Sequence, residues 1–251
     1  MDKNRNNERT MAGSDVIVEA FTDLAPRYED AMDRELHELW GLSYKDFIHR
    51  LIEEVPVESS GVILDVATGT AQIPVTMASR MVPGSAAIGL DITPAMLKGG
   101  VANIQASGLN PRVKLVCASA MDMPFAESVF DVVTCGLGMH HMDVPRVLGE
   151  IRRMLKEGGQ LIIACVSAPS LWRSPLASAL IRMATLLYSR THGSIRAQAE
   201  AAAVPNLRTA AEWRTMLSGF GFAAIETVAT FPARRLWYPD ALILRAIKST
   251  L

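Results

Sequence analysis

Two acids, a loop of small residues and a histidine pair are the groups in this 251-residue chain whose types and spacing could do chemistry. Asp65 stands at the end of the apolar run Val62, Ile63, Leu64, and Ala67, Thr68, Gly69, Thr70 and Ala71 follow it. Side chains this small let a backbone approach a ligand, and Pro74 suits the first turn of the helix that comes next. A second apolar run, Ala86 to Leu90, ends in Asp91. It lies roughly twenty residues past the glycine, the place from which an acid meets a ribose in a nucleotide-binding unit. A carboxylate there accepts from both ribose hydroxyls, and its other use is to cap the following helix. A pyrophosphate loop would carry G-x-G-x-x-G, whereas Gly69 stands alone and Asp65 would repel a pyrophosphate. That acid suits a cationic ligand instead. His140 and His141 follow a later strand-like run, and an unperturbed histidine titrates near pH 6.5, where it can act as a general base on a phenol or enol. Sequential loop residues usually point apart, so one of the two is expected to face a ligand.

Elements that must position these groups follow from the periodicity. Val62–Val66 reads as a strand buried on both faces of a parallel sheet. Helix TAQIPVTMASRMV, a turn at Pro83-Gly84 and strand AAIGLD come next. Thr93 is placed to cap a helix whose first turn holds Pro94. Gly99 and Gly100 inside that helix weaken it by roughly 1 kcal/mol each. Strands VKLVCAS, DVVTCGLG and QLIIACVS continue the alternation, with Asp143 capping a helix that Gly158-Gly159 should end. Arg146, Arg152 and Arg153 on that helix read as solvated charges. Residues 1–14 are polar and without apolar period, which predicts a disordered tail, and residues 15–56 read as an N-terminal helical cap. Residues 168–205 read as two helices, followed by a helix stopped by Gly219 and Gly221 and a closing strand pair.

Composition narrows the class. A 27.3 kDa chain can bury one α/β core, and a net charge of −1 with a pI near 6.5 leaves no basic footprint for nucleic acid. The 49% hydrophobic content contains no uncharged apolar stretch long enough to span a membrane, although a surface-bound stripe remains open. With no secretory leader and with Cys117, Cys135 and Cys165 in apolar runs lacking C-x-x-C spacing, the reading is a cytoplasmic protein with reduced core thiols. No metal-ligand spacing is visible, so no metal is expected.

The acid and small residues closing the first strand resemble the first motif of the class I S-adenosylmethionine-dependent methyltransferases, specifically the ubiquinone/menaquinone-biosynthesis C-methyltransferases and their small-molecule relatives. FTDLAPRYEDAMD resembles that family's opening F-D-x-x-A-x-x-Y-D, and AMDMPFAESVFD and EIRRMLKEGG resemble two further signatures. The resemblance runs from Phe21 to Ser167. It implies a doubly wound, seven-stranded Rossmann-like sheet, mostly parallel with a C-terminal antiparallel hairpin, plus the helical cap and a helical lid at 168–205. It implies S-adenosyl-L-methionine as cofactor, with Tyr28 closing over its methionine end and Phe21 packing nearby. Asp65, Ala67, Thr68 and Gly69 would form the loop, Asp91, Ile92 and Met96 the ribose and adenine side, and Ser119, Ala120 and Met121 the adenine wall. Ser119 stands where the family shows Asp or Asn. Cys135, Gly136 and Leu137 would pass under the sulfonium, and His140 and His141 would sit where the methyl group meets its acceptor. Leu171, Trp172, Leu176, Leu180, Met183 and Leu187 would make the lid apolar, implying a lipophilic or aromatic small-molecule acceptor; they suit a dimer face or a membrane-surface stripe as well. A non-catalytic S-adenosylmethionine-binding protein and a nicotinamide-dependent oxidoreductase are the alternative readings.

Overall fold

The computed structural model describes residues 15–56, 61–109, 111–192, 195–235 and 238–250, so the expected tail at 1–14 lies outside the described residues. The chain enters through helix α1 (15–24), which runs by way of a 3-10 turn at Ala25–Arg27 into α2 (Tyr28–Trp40), followed by α3 (Tyr44–Ile52). Ser43 caps α3 by accepting from the amide of Asp46, and Phe47, Ile48, Leu51 and Ile52 recur at helical spacing as its buried face. Strands and helices then alternate: β1 (Val62–Val66), α4 (Gln72–Arg80), β2 (Ala86–Asp91), α5 (Pro94–Ser107), β3 (Val113–Cys117), β4 (Phe130–Gly136), α6 (Val144–Met154) and β5 (Leu155–Ser167). The chain closes with α7 (Pro175–His192), α8 (Ile195–Ala203), α9 (Ala210–Gly219), β6 (Phe222–Phe231) and β7 (Asp240–Lys248).

The seven strands lie in the order β3-β2-β1-β4-β5-β7-β6, parallel from β3 to β5 and antiparallel where β7 joins β5 and β6 joins β7. Alternation along each strand divides the core in two. Ile63, Ala87, Val132, Ile162 and Ile243 face α3 and α4, while Leu64, Val66, Val133, Ile163 and Leu244 face α6 and α9. Helix α6 buries Val144, Val147, Leu148, Ile151 and Met154, and burial of such side chains contributes roughly 1.5–3 kcal/mol apiece. Chain order reverses between β1 and β4, and a ligand crevice opens beyond the carboxyl ends of strands at such a point.

Local expectations differ from the fold in four places. Asp143 does cap α6, accepting from the Arg146 amide, but the helix ends at Met154; Gly158 and Gly159 lie inside β5, which pairs from Leu155 across an irregularity in β4. Thr93 precedes α5 without a side-chain cap bond, and its amide donates to Asp91 Oδ1 at 2.9 Å. Arg153 bonds the carbonyls of Met123 and Phe125 and Arg152 that of Gly221, so two of the three α6 arginines tie loops down instead of being freely solvated. Cys135 and Cys165 are buried thiols, whereas Cys117, at the end of edge strand β3, is exposed. The glycines of α5 also gain an account: a Cβ on Gly100 would sit 3.0 Å from Leu115 and 3.1 Å from Ala71, so the helix lies directly on the β1 loop.

Candidate functional site

The loop after β1 is built from three residues in the left-handed region: Ala67 (φ 55°), Gly69 (φ 55°) and Ala71 (φ 61°). For the two alanines that conformation costs roughly 1–2 kcal/mol each, and strain of this kind gathers at ligand sites. Asp91 holds the loop closed. Its Oδ2 accepts from the Gly69 amide at 2.8 Å and its Oδ1 from the Thr93 amide, while the Thr68 amide donates to the Leu90 carbonyl at 3.0 Å. Each carboxylate oxygen keeps further lone pairs, and Asp91 lines the cavity above. Burial raises its pKa against the two amide bonds that lower it.

Glu29, in the first turn of α2, fastens the helical cap to this loop. Its Oε1 accepts from Thr70 Oγ1 (2.8 Å), Gln72 Nε2 (2.9 Å) and Asn103 Nδ2 (2.8 Å). The neighbouring Tyr28 is thereby set over Gly69: a Cβ on that glycine would meet Met96 Cε at 3.0 Å and the Tyr28 ring at 3.5 Å. Tyr44 packs edge-on against Tyr28 with ring centroids 6.1 Å apart.

A cavity of about 470 Å³ opens above these residues, within the range usual for small-molecule and cofactor sites. Of the residues singled out from sequence, Tyr28, Ala67, Gly69, Asp91, Ile92, Met96, Ser119, Ala120, Met121, Gly136, Leu137, His140 and His141 line it. Asp65, Thr68 and Cys135 do not line it, since strand alternation and loop closure turn them beneath the floor. Asp65 is fully buried, with Oδ1 accepting from Thr134 Oγ1 at 2.7 Å and Oδ2 without a hydrogen-bond partner, and burial raises its pKa to about 7. Burial likewise pushes the Cys135 thiol up to about 12, which leaves it inert. Ser119 accepts from the Met121 amide at 3.2 Å and so also stabilises its own turn.

Both histidines face the cavity. They lie in a 3-10 turn, Met139–His141, whose tight rise brings the rings to 4.2 Å between centroids instead of turning them apart. Burial, reinforced by the neighbouring imidazole, drives His140 down to about 3; burial and then Arg196 drive His141 down to about 4. Neither carries the pKa near 6.5 that the bare residue type suggests, and both are neutral at physiological pH. Glu200 of α8 brings Oε1 to 3.8 Å from His141 Nε2, and the three side chains can offer ligand atoms within 4.8 Å of one another, a grouping that sequence spacing does not reveal. Arg196 beside His141 disfavours a cation there.

The roof comes from elements the sequence could not place. Ile17 and Phe21 of α1 and Ala199, Ala202 and Ala203 of α8 cover the cavity, so Phe21 contacts the site as well as packing on His141. Leu171, Leu176, Leu180, Met183 and Leu187, expected over the acceptor, are 59–75% exposed and point away from it. Asn206 donates to the His140 carbonyl at 3.0 Å, and Arg208 lines the cavity with its guanidinium 5.5 Å over the Trp213 ring. Their only sequence signal is polarity in an apolar stretch.

A seven-stranded sheet of this order with a crevice over the β1/β4 reversal defines the methyltransferase fold. The YcgJ protein of Bacillus subtilis shares it with a TM-score of 0.64 at 18% identity, covering 83% of this chain and all of that one. Geranyl diphosphate C-methyltransferase of Streptomyces coelicolor gives 0.63 at 14% identity, over 88% of this chain and 84% of that one. The [4+2]-cyclase SpnF gives 0.64 at 17% identity, over 84% of this chain and 83% of that one, so the fold by itself does not fix an activity. Within this class the chain belongs to the ubiE/COQ5 methyltransferase family, whose model matches residues 9–187. It is 34% identical over 155 residues to the demethylmenaquinone methyltransferase of Symbiobacterium thermophilum, covering 61% of this chain and 60% of that protein. It is 34% identical over 154 residues to the ubiquinone/menaquinone biosynthesis C-methyltransferase UbiE of Geotalea daltonii, covering 61% and 64%. The matched stretch thus spans under two thirds of either relative.

Proposed function

We propose that the chain transfers a methyl group from S-adenosylmethionine to a lipophilic small molecule bearing an ionisable hydroxyl. The carrying observation is the cavity's two-sided chemistry, with buried acids and strained small residues at the floor and an apolar roof around two neutral histidines. The floor fits the cofactor on its own terms. Gly69 leaves open a space that a Cβ would fill, Asp91 presents lone pairs suited to ribose hydroxyls, and Asp65, ionising near pH 7, gives the floor a negative charge that a cationic ligand would favour. When bound, S-adenosylmethionine supplies a methyl carbon attached to a positively charged sulfur and open to in-line displacement.

The chain's own residues then bind, align and exclude water. Asp91 anchors the ribose, Ile92, Met96, Ala120 and Met121 wall the adenine with Ser119 at its edge, and Gly136 and Leu137 flank the reacting centre. Tyr28 closes over Gly69, while Asp65, Thr68 and Cys135 shape the floor from beneath. His140 or His141, neutral and inside the cavity, would accept the proton that the acceptor's hydroxyl must lose, its burial-lowered basicity being raised by the oxyanion that forms beside it. Arg208 stabilises the oxygen as negative charge develops on it.

A family relative named for demethylmenaquinone supports a lipophilic ring as acceptor. The purified chain, incubated with S-adenosylmethionine and demethylmenaquinone reduced in situ, should yield S-adenosylhomocysteine and a product heavier by one methylene. Tight S-adenosylmethionine binding without product from any quinol would favour a non-methylating role, as the likeness to a cyclase allows. Binding of a nicotinamide cofactor in its place would overturn the reading.

A further inference from the structure

We propose that α7 is a docking helix for an anionic lipid surface. Leu176, Leu180, Met183 and Leu187 recur at steps of four, three and four residues, which places them within a narrow arc of one helix face. They are 73%, 59%, 67% and 61% exposed, and Leu171, in the 3-10 turn just before the helix, is 75% exposed. Among the described residues these five and their neighbour Tyr188 account for six of the seven large exposed hydrophobics, so the exposed apolar surface is concentrated on one element. The opposite face is settled against the protein, with Ala177, Ser178 and Ile181 half-buried and Ser178 Oγ donating to the Trp172 carbonyl at 2.7 Å.

Charge decides between occupants. From Gly158 to Ala199 the chain has no Asp, Glu or Lys and four arginines; Arg173 pairs with Glu212 and Arg196 with Glu35, so Arg182 and Arg190 are the cations that α7 itself contributes, although the net charge of the chain is −1. A second copy laid on this face would set two acid-free, arginine-bearing helices side by side with no carboxylate on either to pair across the seam. An anionic bilayer supplies both the apolar layer for the leucines and the negative charge for the arginines, the combination that binds amphipathic helices in the plane of the interface. No helix among the described residues is long and apolar enough to cross a membrane, so the 18-residue α7 lies on the surface. Helix α8 follows directly and carries Ala199, Ala202 and Ala203 into the cavity roof. Docking through α7 therefore brings the roof next to the lipid. This deepens the reading of a lipophilic acceptor and rests on it only for that last step.

The test uses the full chain with neither cofactor nor acceptor, so it stands apart from the methyl-transfer reading. Vesicles of phosphatidylcholine with and without phosphatidylglycerol are sedimented with the wild type and with the Leu180→Glu/Met183→Glu variant, whose positions are exposed and leave the core untouched. The wild type should bind phosphatidylglycerol vesicles, release as salt is raised and bind pure phosphatidylcholine far less. The double variant should bind roughly a hundredfold more weakly, as expected for losing two interfacial apolar anchors, with an unchanged thermal transition. Absence of vesicle binding by the wild type, or equal binding by the variant, would overturn the proposal. So would a wild-type dimer in sedimentation velocity that the double variant converts to monomer, which would assign the stripe to a second copy.

Discussion

Replacing Asp65 by asparagine tests the electrostatics of the cavity floor in the ligand-free protein. The carboxyl is fully buried, and burial lifts its pKa from the ordinary 3.8 to about 7. A folded pKa above the unfolded one means that the native state holds the proton more tightly. The stability this brings is fully present below pH 3.8 and is lost as pH rises toward 7, levelling off above that. Between pH 5 and pH 8 the two-state linkage expression assigns this one group a loss of about 2.5 kcal/mol. Asparagine does not titrate. Its amide leaves a donor near the position where Oδ2 lacks a partner, at a cost of about 1–3 kcal/mol, but that cost does not change with pH and cancels in the comparison. His140 and His141 act in the opposite direction, since their lowered pKa values withdraw stability as pH falls below 6.5, and they cancel too because both proteins contain them.

Urea unfolding of wild type and Asp65→Asn at the two pH values gives the difference directly. The variant should gain on the wild type by about 2.5 kcal/mol on going from pH 5 to pH 8. A cationic ligand at the floor favours the ionised carboxylate, so S-adenosylmethionine affinity of the wild type should rise from pH 5 to pH 7 and then flatten, while that of the variant stays level. A stability difference between the two proteins that is the same at both pH values would refute the argument, because it would mean that Asp65 ionises as freely when folded as when unfolded.

Asp91→Ala should weaken S-adenosylmethionine binding by roughly 1.5–3 kcal/mol in calorimetry, the scale of a hydrogen bond to a charged group, and unchanged affinity in a folded variant would remove Asp91 from the site. At saturating S-adenosylmethionine, where the Asp65 titration no longer enters, the pH dependence of turnover should show no histidine step at pH 6.5, because the histidines at about 3 and about 4 stay neutral through that region; an Ala variant of the one acting as base should lose roughly a hundredfold in rate at pH 7 with cofactor affinity retained. Ala224, exposed and at φ 47° beside an irregularity in β6, carries left-handed strain away from the cavity. Ala224→Gly should therefore raise the melting temperature by about 1–3 °C, the net of relieved strain and added chain entropy.

How much of this was legible in the sequence depends on how far apart the partners lie along the chain. Gly69 and Asp91 were readable because a parallel strand pair fixes their register: Asp65 pairs with Gly89 and Val66 with Leu90, which brings the two strand tips together. The seven-stranded sheet and its closing hairpin were legible through the family resemblance, since alternation marks strands without fixing their order. The roof was not readable. Phe21, His141 and Glu200 meet only because α1 and α8 cross over the 3-10 turn, and no periodicity encodes a contact between segments so distant. The apolar stripe of α7 was seen as a stripe, yet a helical period tells that one face is apolar and not whether that face looks inward. The histidines were misjudged for a related reason, since a pKa is set by what covers the ring and the covering residues lie elsewhere in the chain.

The two sides of the cavity fit complementary parts of one reaction. Asp65 beneath the loop and Asp91 beside it are carboxyls that a cationic ligand would hold ionised, and once ionised they oppose the pyrophosphate that dinucleotide loops hold. At the roof, burial keeps both imidazoles uncharged, so they add no positive charge facing a sulfonium and still offer a lone pair for a departing proton. Of the charged groups on that side, Glu200 and Arg196 lie beside His141, and Asp143 and Arg208 line the cavity; the pKa of Arg208 is lowered mainly by burial and its guanidinium sits over Trp213. A guanidinium held this way remains protonated and is placed to meet an oxyanion. In the proposed reaction substrate charge would thus be sorted by position, cation to the floor and developing anion to the roof, with the apolar lining residues between them, Leu137, Met142 and the α8 alanines, limiting water there. Moving the positive charge, as in Arg208→Met, should accordingly slow turnover with a hydroxyl-bearing acceptor while leaving S-adenosylmethionine affinity intact. Equal loss of cofactor affinity in that variant would place Arg208 on the wrong side of this division.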